Sequence, residues 1–385
     1  MKKICFVTGT RADYGIMAPV MREVAAFPDV ELQIIATNMH LSPEFGMTVT
    51  EIEADGFKVD KKIASLVPGG TAASTVLSMA KVEEGLAVAF EELQPDLVVI
   101  LGDRYEALAA ASAAVVFNIP VAHLHGGETT EGAIDDKFRH AITKLATYHF
   151  AATPQYVEKI ISMGENPEHV FHSGGPGAEG RGKDLTREEE EALAYKFYEK
   201  TRIYPGQPYI LTAFHPVTLS EDKGENDLRA IIGALDKFIA QGYRILVTMP
   251  NSDPGTGKIT GLIREWTEKN KGAVVSVTSL GAELFHYAME NALAMVGNSS
   301  AALIEAPSYR LGAVNVGDRQ KGRAHGITVM DVPGDAVKIE EALNSVLSLE
   351  MKAVLMGMAV SGLNPYFKEN SAKFIAGALR EVLKV

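Results

Sequence analysis

Short, uninterrupted apolar runs recur along this chain, and longer stretches with apolar residues every three or four positions lie between them. Residues 4–8, 32–37, 97–101, 121–124 and 149–152 show the first pattern, which suits strands buried on both faces. Residues 15–27, 76–93 and 106–117 show the second, the period of a helix with one buried side. A Gly/Pro-rich stretch at 173–180 breaks the rhythm, and Thr186 with Glu189 three residues on has the spacing of a capping box opening a charged helix. Strand-like runs resume at 209–214, 244–248, 274–277, 294–296 and 313–316, and Asn364-Pro365 predicts a kink before a last helix over 366–384.

This alternation predicts an α/β fold of two Rossmann-like, doubly wound parallel-sheet domains facing a cleft. The first spans 1–175 and the second 205–364, with the joint near 173–208, and residues 365–385 form a helix packing back on the first. No short-period repeat is present, which argues against a solenoid. A length of 385 residues fits two cores of ordinary size.

Charge narrows the partners. The formal net charge is −12, so binding of a nucleic-acid backbone by bulk electrostatics is not expected. An anionic ligand has to be held by a few placed cations and backbone amides. Cys5 is the only cysteine, which excludes an internal disulfide and a cysteine-rich zinc site. The apolar start of the chain is too short for a signal peptide, and no uncharged apolar stretch reaches the length of a bilayer span. The expected location is the cytoplasm, without a membrane partner.

Arg11, Asp103, His125, His215, Asn251 and Ser299 each follow the apolar end of a predicted strand. In open α/β sheets that edge binds ligands, because loops diverge there and helix N-termini point into the crevice. Turn-forming residues end strands anyway, but arginines and histidines recurring at the same edge in both halves ask for more than turn chemistry. Gly297-Asn298-Ser299-Ser300 precedes a predicted helix and is either a plain cap or a phosphate cradle. Glu305, further along that helix, is placed to accept ribose hydroxyls or to face solvent. Arg319 is placed to neutralise a diphosphate or to form a surface ion pair.

In Gly102-Asp103-Arg104-Tyr105-Glu106, Asp103 is either a catalytic carboxylate or the N-cap of the next helix, and Arg104 is a candidate ligand contact. His123 and His125, two apart on a strand, share a face as metal ligands often do; with Glu128 they make a hydrolytic metal site a rival. Gly126-Gly127 suits close backbone approach to a ligand equally well. Asp135 and Arg139, and Asp136 and His140, are four apart and form candidate helix ion pairs, with Asp135 near enough to the helix start to face the cleft instead. His215 is placed to contact a diphosphate or protonate a leaving group.

Several segments occur together in order: Thr8-Gly9-Thr10-Arg11-Ala12-Asp13-Tyr14, Gly102 to Glu106, His123-Leu124-His125-Gly126-Gly127-Glu128, Ile134-Asp135-Asp136, Phe214-His215-Pro216, Gly297 to Ser300, and Gly317-Asp318-Arg319-Gln320. Taken together, the chain resembles the hydrolysing UDP-N-acetylglucosamine 2-epimerases that open sialic-acid synthesis. The resemblance implies a glycosyltransferase-B type fold and a homo-oligomer. It matches Arg11, Ser299, Ser300, Glu305 and Arg319 to UDP-binding positions, and Asp103, Asp135 and His215 to catalytic ones. Some relatives carry glutamate where this chain has His125, which leaves His125 and Glu128 as alternative carriers of the C2 proton.

The implied reaction converts UDP-N-acetylglucosamine to UDP and N-acetylmannosamine by elimination of UDP and addition of water, with no metal or nicotinamide cofactor. The close rival is the same chemistry on a UDP-2,4-diacetamido-2,4,6-trideoxy sugar of the legionaminic acid pathway, which these residues do not separate from it. A glycosyltransferase and a nucleotide-sugar sensor are the remaining alternatives.

Overall fold

Strands β1 (Lys2–Thr8), β2 (Val30–Thr37), β3 (Lys61–Ile63), β4 (Leu97–Leu101), β5 (Val121–Leu124), β6 (Tyr148–Ala151) and β7 (Val170–His172) form a parallel sheet in the order β3-β2-β1-β4-β5-β6-β7. A second parallel sheet has the order β10-β9-β8-β11-β12-β13, built from β8 (Tyr209–Ala213), β9 (Arg244–Thr248), β10 (Val274–Val277), β11 (Ala294–Gly297), β12 (Ala313–Val316) and β13 (Val329–Val332). This is a computed structural model, and it describes residues 1–181 and 185–383. Each sheet reverses its winding once, between β1 and β4 and between β8 and β11. Such switch points open a crevice beyond the carboxyl ends of the strands.

By contact the chain divides into two units, one of Met1–Glu128, Ile134–Gly177 and Lys368–Val385, the other of Thr129–Ala133 and Ala178–Phe367. The period-two alternation of side chains sets the first core. Ile4 and Phe6 of β1 face Met17 and Met21 of the helix Arg11–Ala25, whereas Cys5 and Val7 face Leu86 and Phe90 of the helix Ala72–Leu93. Cys5 is fully buried, and burial pushes its thiol far above the ordinary range. In the second unit Ile210, Val247, Val296 and Val314 pack with Leu228, Ile231 and Phe238 of the helix Glu225–Ala240. The Thr186–Glu189 capping box is present at the start of the helix Arg187–Thr201.

The last helix runs from Ser371 to Glu381 and adds Ile375, Ala376 and Leu379 to the core around Met17. It starts later than residue 366 because Asn364 holds the chain in a turn. The Asn364 side chain accepts from the Tyr366 amide at 3.0 Å and donates to the Ile304 carbonyl at 2.8 Å. Lys384, and residues 182–184 of the joint, lie outside the described residues. Among the described residues no helix is long and apolar enough to cross a membrane.

Candidate active site

At the end of β1, Asp13 organises the loop. It accepts from the amides of Gly9 (3.0 Å), Thr10 (2.9 Å) and Tyr14 (2.7 Å) and from the Thr8 hydroxyl (2.9 Å), while Thr10 caps the helix. Arg11 is thereby set as the first, half-buried residue of that helix. Glu106 packs against the loop so closely that a Cβ at Gly9 would sit 2.4 Å from its Cγ. Glu106 is buried, its carboxyl pushed upward by desolvation, and it accepts from Arg104 Nε at 2.6 Å. Arg104 is therefore anchored from below by a carboxylate that the sequence pattern did not single out.

Asp103 does not cap the following helix. The helix Tyr105–Val116 has Arg104 at its N-cap position, without a side-chain cap, and Asp103 pairs with Arg139. Arg139 is only 1% exposed. One guanidinium nitrogen holds Asp103, and the other donates to the His125 carbonyl at 2.7 Å and lies 3.6 Å from Glu128 Oε2. The other oxygen of Glu128 is 2.6 Å from His125 Nδ1. Asp103, His125 and Glu128, from the ends of two adjacent strands, are thus drawn onto one buried arginine of the helix Asp135–Leu145. Asp135 opens that helix, and Asp136 lies 3.6 Å from His140 in the expected pair.

His123 and His125 do not share a face. Strand β5 ends at Leu124, and His125 adopts a left-handed backbone with φ 60°, which swings its ring out of the strand alternation. His123 instead lies 2.7 Å from the Gly102 carbonyl through Nε2. The two glycines approach protein rather than leaving room for a ligand. A Cβ at Gly126 would lie 2.9 Å from His123 Nδ1, and one at Gly127 2.8 Å from the Tyr156 carbonyl. Among the described residues no group of three or more His, Cys, Asp and Glu is placed to hold a metal ion.

Burial pushes the His123 pKa down to about 3 from its ordinary 6.5. The fold therefore keeps this ring neutral, while the unfolded chain protonates it below pH 6.5. The stability it confers is intact above that pH and is lost as pH falls toward 3, by on the order of a few kcal/mol. His123→Gln, which keeps a donor for the Gly102 carbonyl, is expected to flatten the acid side of stability by up to one proton. Urea midpoints at several acidic pH values check this; an unchanged slope would assign the proton uptake elsewhere.

In the second unit Asn298 is the hub that sequence reading passed over. Its Oδ1 accepts from the His215 amide at 2.7 Å, and its Nδ2 donates to the His215 carbonyl at 2.8 Å. Its carbonyl accepts from Arg319 at 3.1 Å and from Gln320 at 2.9 Å. One fully buried residue, through its side chain for the loop after β8 and its backbone carbonyl for the loop after β12, therefore sets both loops against the end of β11. Ser299 is buried and Ser300 is the N-cap residue of a single turn, Ala301–Ile304. Glu305 lies past the end of that turn, not further along a helix, with Oε1 3.7 Å from His286. Arg319 Nε is buried and makes no hydrogen bond. Asn251, in the loop after β9, accepts from the Thr256 hydroxyl through its carbonyl at 2.5 Å.

Residues 22–380 match the family model described as UDP-N-acetylglucosamine 2-epimerase. A UDP-N,N'-diacetylbacillosamine 2-epimerase (hydrolyzing) of Legionella pneumophila is 37% identical over 358 residues, covering 89% of this chain and 89% of the relative. A GDP/UDP-N,N'-diacetylbacillosamine 2-epimerase (hydrolyzing) of Campylobacter jejuni is 35% identical, covering 91% of this chain and 89% of that protein. Among solved structures, the UDP-GlcNAc 2-epimerase of Methanocaldococcus jannaschii, in complex with UDP-GlcNAc and UDP, superposes with a TM-score of 0.80 at 18% identity, covering 98% of this chain and 99% of that one. That likeness extends to the fold: two parallel-sheet α/β units of the glycosyltransferase-B type.

Proposed function

From the premise that this chain belongs to the UDP-N-acetylglucosamine 2-epimerase family, we propose that it cleaves a UDP-2-acetamido sugar to UDP and the free sugar, inverting C2. The observation that carries the chemistry is the gathering of Asp103, His125 and Glu128 on buried Arg139. Elimination breaks the C2–H bond and the C1–O bond to the diphosphate, forming a C1=C2 double bond. Water then supplies a hydroxyl to C1 and a proton to the opposite face of C2. Arg11, His215, Ser299, Ser300 and Arg319 are proposed to hold the diphosphate, and Glu305 and Asn251 the nucleoside. Asp103, His125, Glu128 and Asp135 are proposed to handle the protons. Placed donors and cations facing the leaving group stabilise charge where it develops, which is commonly the largest catalytic term.

UDP-N,N'-diacetylbacillosamine is the substrate we favour, because the two relatives at 35 and 37% identity are both named for that sugar. UDP-N-acetylglucosamine, giving N-acetylmannosamine as a precursor for sialic acid, is the second reading, supported by the family description. Each sugar nucleotide is to be incubated with the protein in deuterated buffer, with and without EDTA, and followed by proton NMR. The expected outcome is UDP plus a C2-deuterated, C2-inverted free sugar, indifferent to EDTA. A tenfold or greater preference in kcat/KM for the diacetamido sugar, about 1.4 kcal/mol, is expected. The reverse preference transfers the assignment to UDP-N-acetylglucosamine, and release of UDP from neither rules out hydrolysing epimerisation.

A further inference from the structure

We infer that the C2 proton is taken by His125 through Nε2, and that Glu128 and Arg139 are positioning residues for that ring. The inference rests on the proposed elimination from a UDP-2-acetamido sugar, and it separates two side chains that sequence alone left as alternatives.

The backbone of His125 is held at both polar groups. Its amide donates to the Phe150 carbonyl at 3.0 Å, and its carbonyl accepts from Arg139 at 2.7 Å. A left-handed conformation at a non-glycine residue is sparsely populated and persists where its surroundings fix it. Here those two bonds fix it. The residue is 3% exposed, and Nδ1 faces Glu128 Oε1 at 2.6 Å while Nε2 is buried without a hydrogen-bond partner. A carboxylate accepting from Nδ1–H sets the tautomer, leaving the Nε2 lone pair to accept a proton. Glu128 itself is fully buried with one oxygen on His125 and the other turned to Arg139. With both oxygens so engaged, it is placed to orient the ring and to balance an imidazolium.

In the step, Nε2 takes the C2 proton and the C–H electron pair becomes the C1=C2 bond. The C1–O pair leaves with UDP. The imidazolium returns its proton to water after turnover. Protonation of the opposite face of C2 then falls to a second group, and we assign it to Asp103, held by the other guanidinium nitrogen of Arg139, which takes a proton from the water that adds its hydroxyl to C1 and passes it to C2.

Glu128→Gln tests the orientation. The amide oxygen is drawn to Arg139, so the amide N–H₂ turns to Nδ1 and forces the proton onto Nε2, where the ring can no longer accept. With whichever UDP sugar the wild type turns over, Glu128→Gln is expected to lower kcat by about 100-fold or more with KM within about threefold. His125→Gln is expected to be as slow or slower. His125→Glu restores a base and is expected to recover at least about tenfold over His125→Gln. UDP binding by calorimetry and thermal melts accompany each variant, so that misfolding is read separately and the His125→Glu rescue still decides. If the wild type releases UDP but His125→Gln does so within tenfold of it, or Glu128→Gln leaves kcat unchanged, the His125 assignment is overturned and the epimerase reading stands. If the wild type releases no UDP from either sugar, both fall together.

Discussion

Arg139→Met is expected to abolish turnover and to lower unfolding stability by about 3–5 kcal/mol, the cost of stripping one partner from a buried ionic network. The magnitude follows from what the guanidinium touches: Asp103, Glu128 and the carbonyl of His125, all from a side chain 1% exposed. Methionine fills much of the same volume, so the loss is electrostatic rather than a cavity effect. Arg139→Lys separates the two consequences. It restores the positive charge and much of the stability, but one ammonium cannot reproduce a planar fork that engages partners from two strands. Its kcat is expected to stay about 100-fold down. Urea unfolding and steady-state kinetics on both variants check this. A stable, active Arg139→Met would show that the carboxylates need no common anchor.

Gly297→Ala is expected to destabilise the second unit by about 3 kcal/mol or more, as other forced overlaps in packed interiors do. Gly297 has φ 145°, and a Cβ there would lie 2.0 Å from the Ala213 carbonyl oxygen on the neighbouring strand. That oxygen accepts from the Asn298 amide at 3.1 Å, so parting the strands also shifts the residue that grips His215 and Arg319. UDP affinity is therefore expected to fall along with stability. Urea unfolding and calorimetric titration with UDP read the two effects, and a variant within about 1 kcal/mol of the parent, an ordinary surface-level change, would mean that β8 and β11 separate easily.

The fold was legible where burial on both faces leaves continuous apolar runs. The runs at 97–101, 121–124, 244–248, 274–277 and 313–316 coincide with β4, β5, β9, β10 and β12. The edge strands β3, β7 and β13 were not legible: each is covered less completely, and Lys61-Lys62-Ile63 carries two charges in three residues. The site was legible by position, since the end of a buried strand is visible in sequence, but its internal wiring was not. Alternation put His123 and His125 on one face until a left-handed residue broke it. Helical spacing offered Arg139 to Asp135, but spacing within one helix gives no sign that the same guanidinium reaches the ends of two strands. Asn298 and Glu106 act through hydrogen bonds to distant residues, and no local pattern announces such bonds.

The lone thiol has a practical consequence. Cys5 sits on the interior strand β1 with no exposed surface and a strongly raised pKa, so it offers essentially no thiolate to an alkylating reagent while the protein is folded. A cysteine introduced at any exposed position, such as Tyr195 or Val116, would then be the sole target for a maleimide dye or spin label. No background mutation is required, and Cys5 becomes a built-in reporter: its labelling would mark the moment the first sheet comes apart.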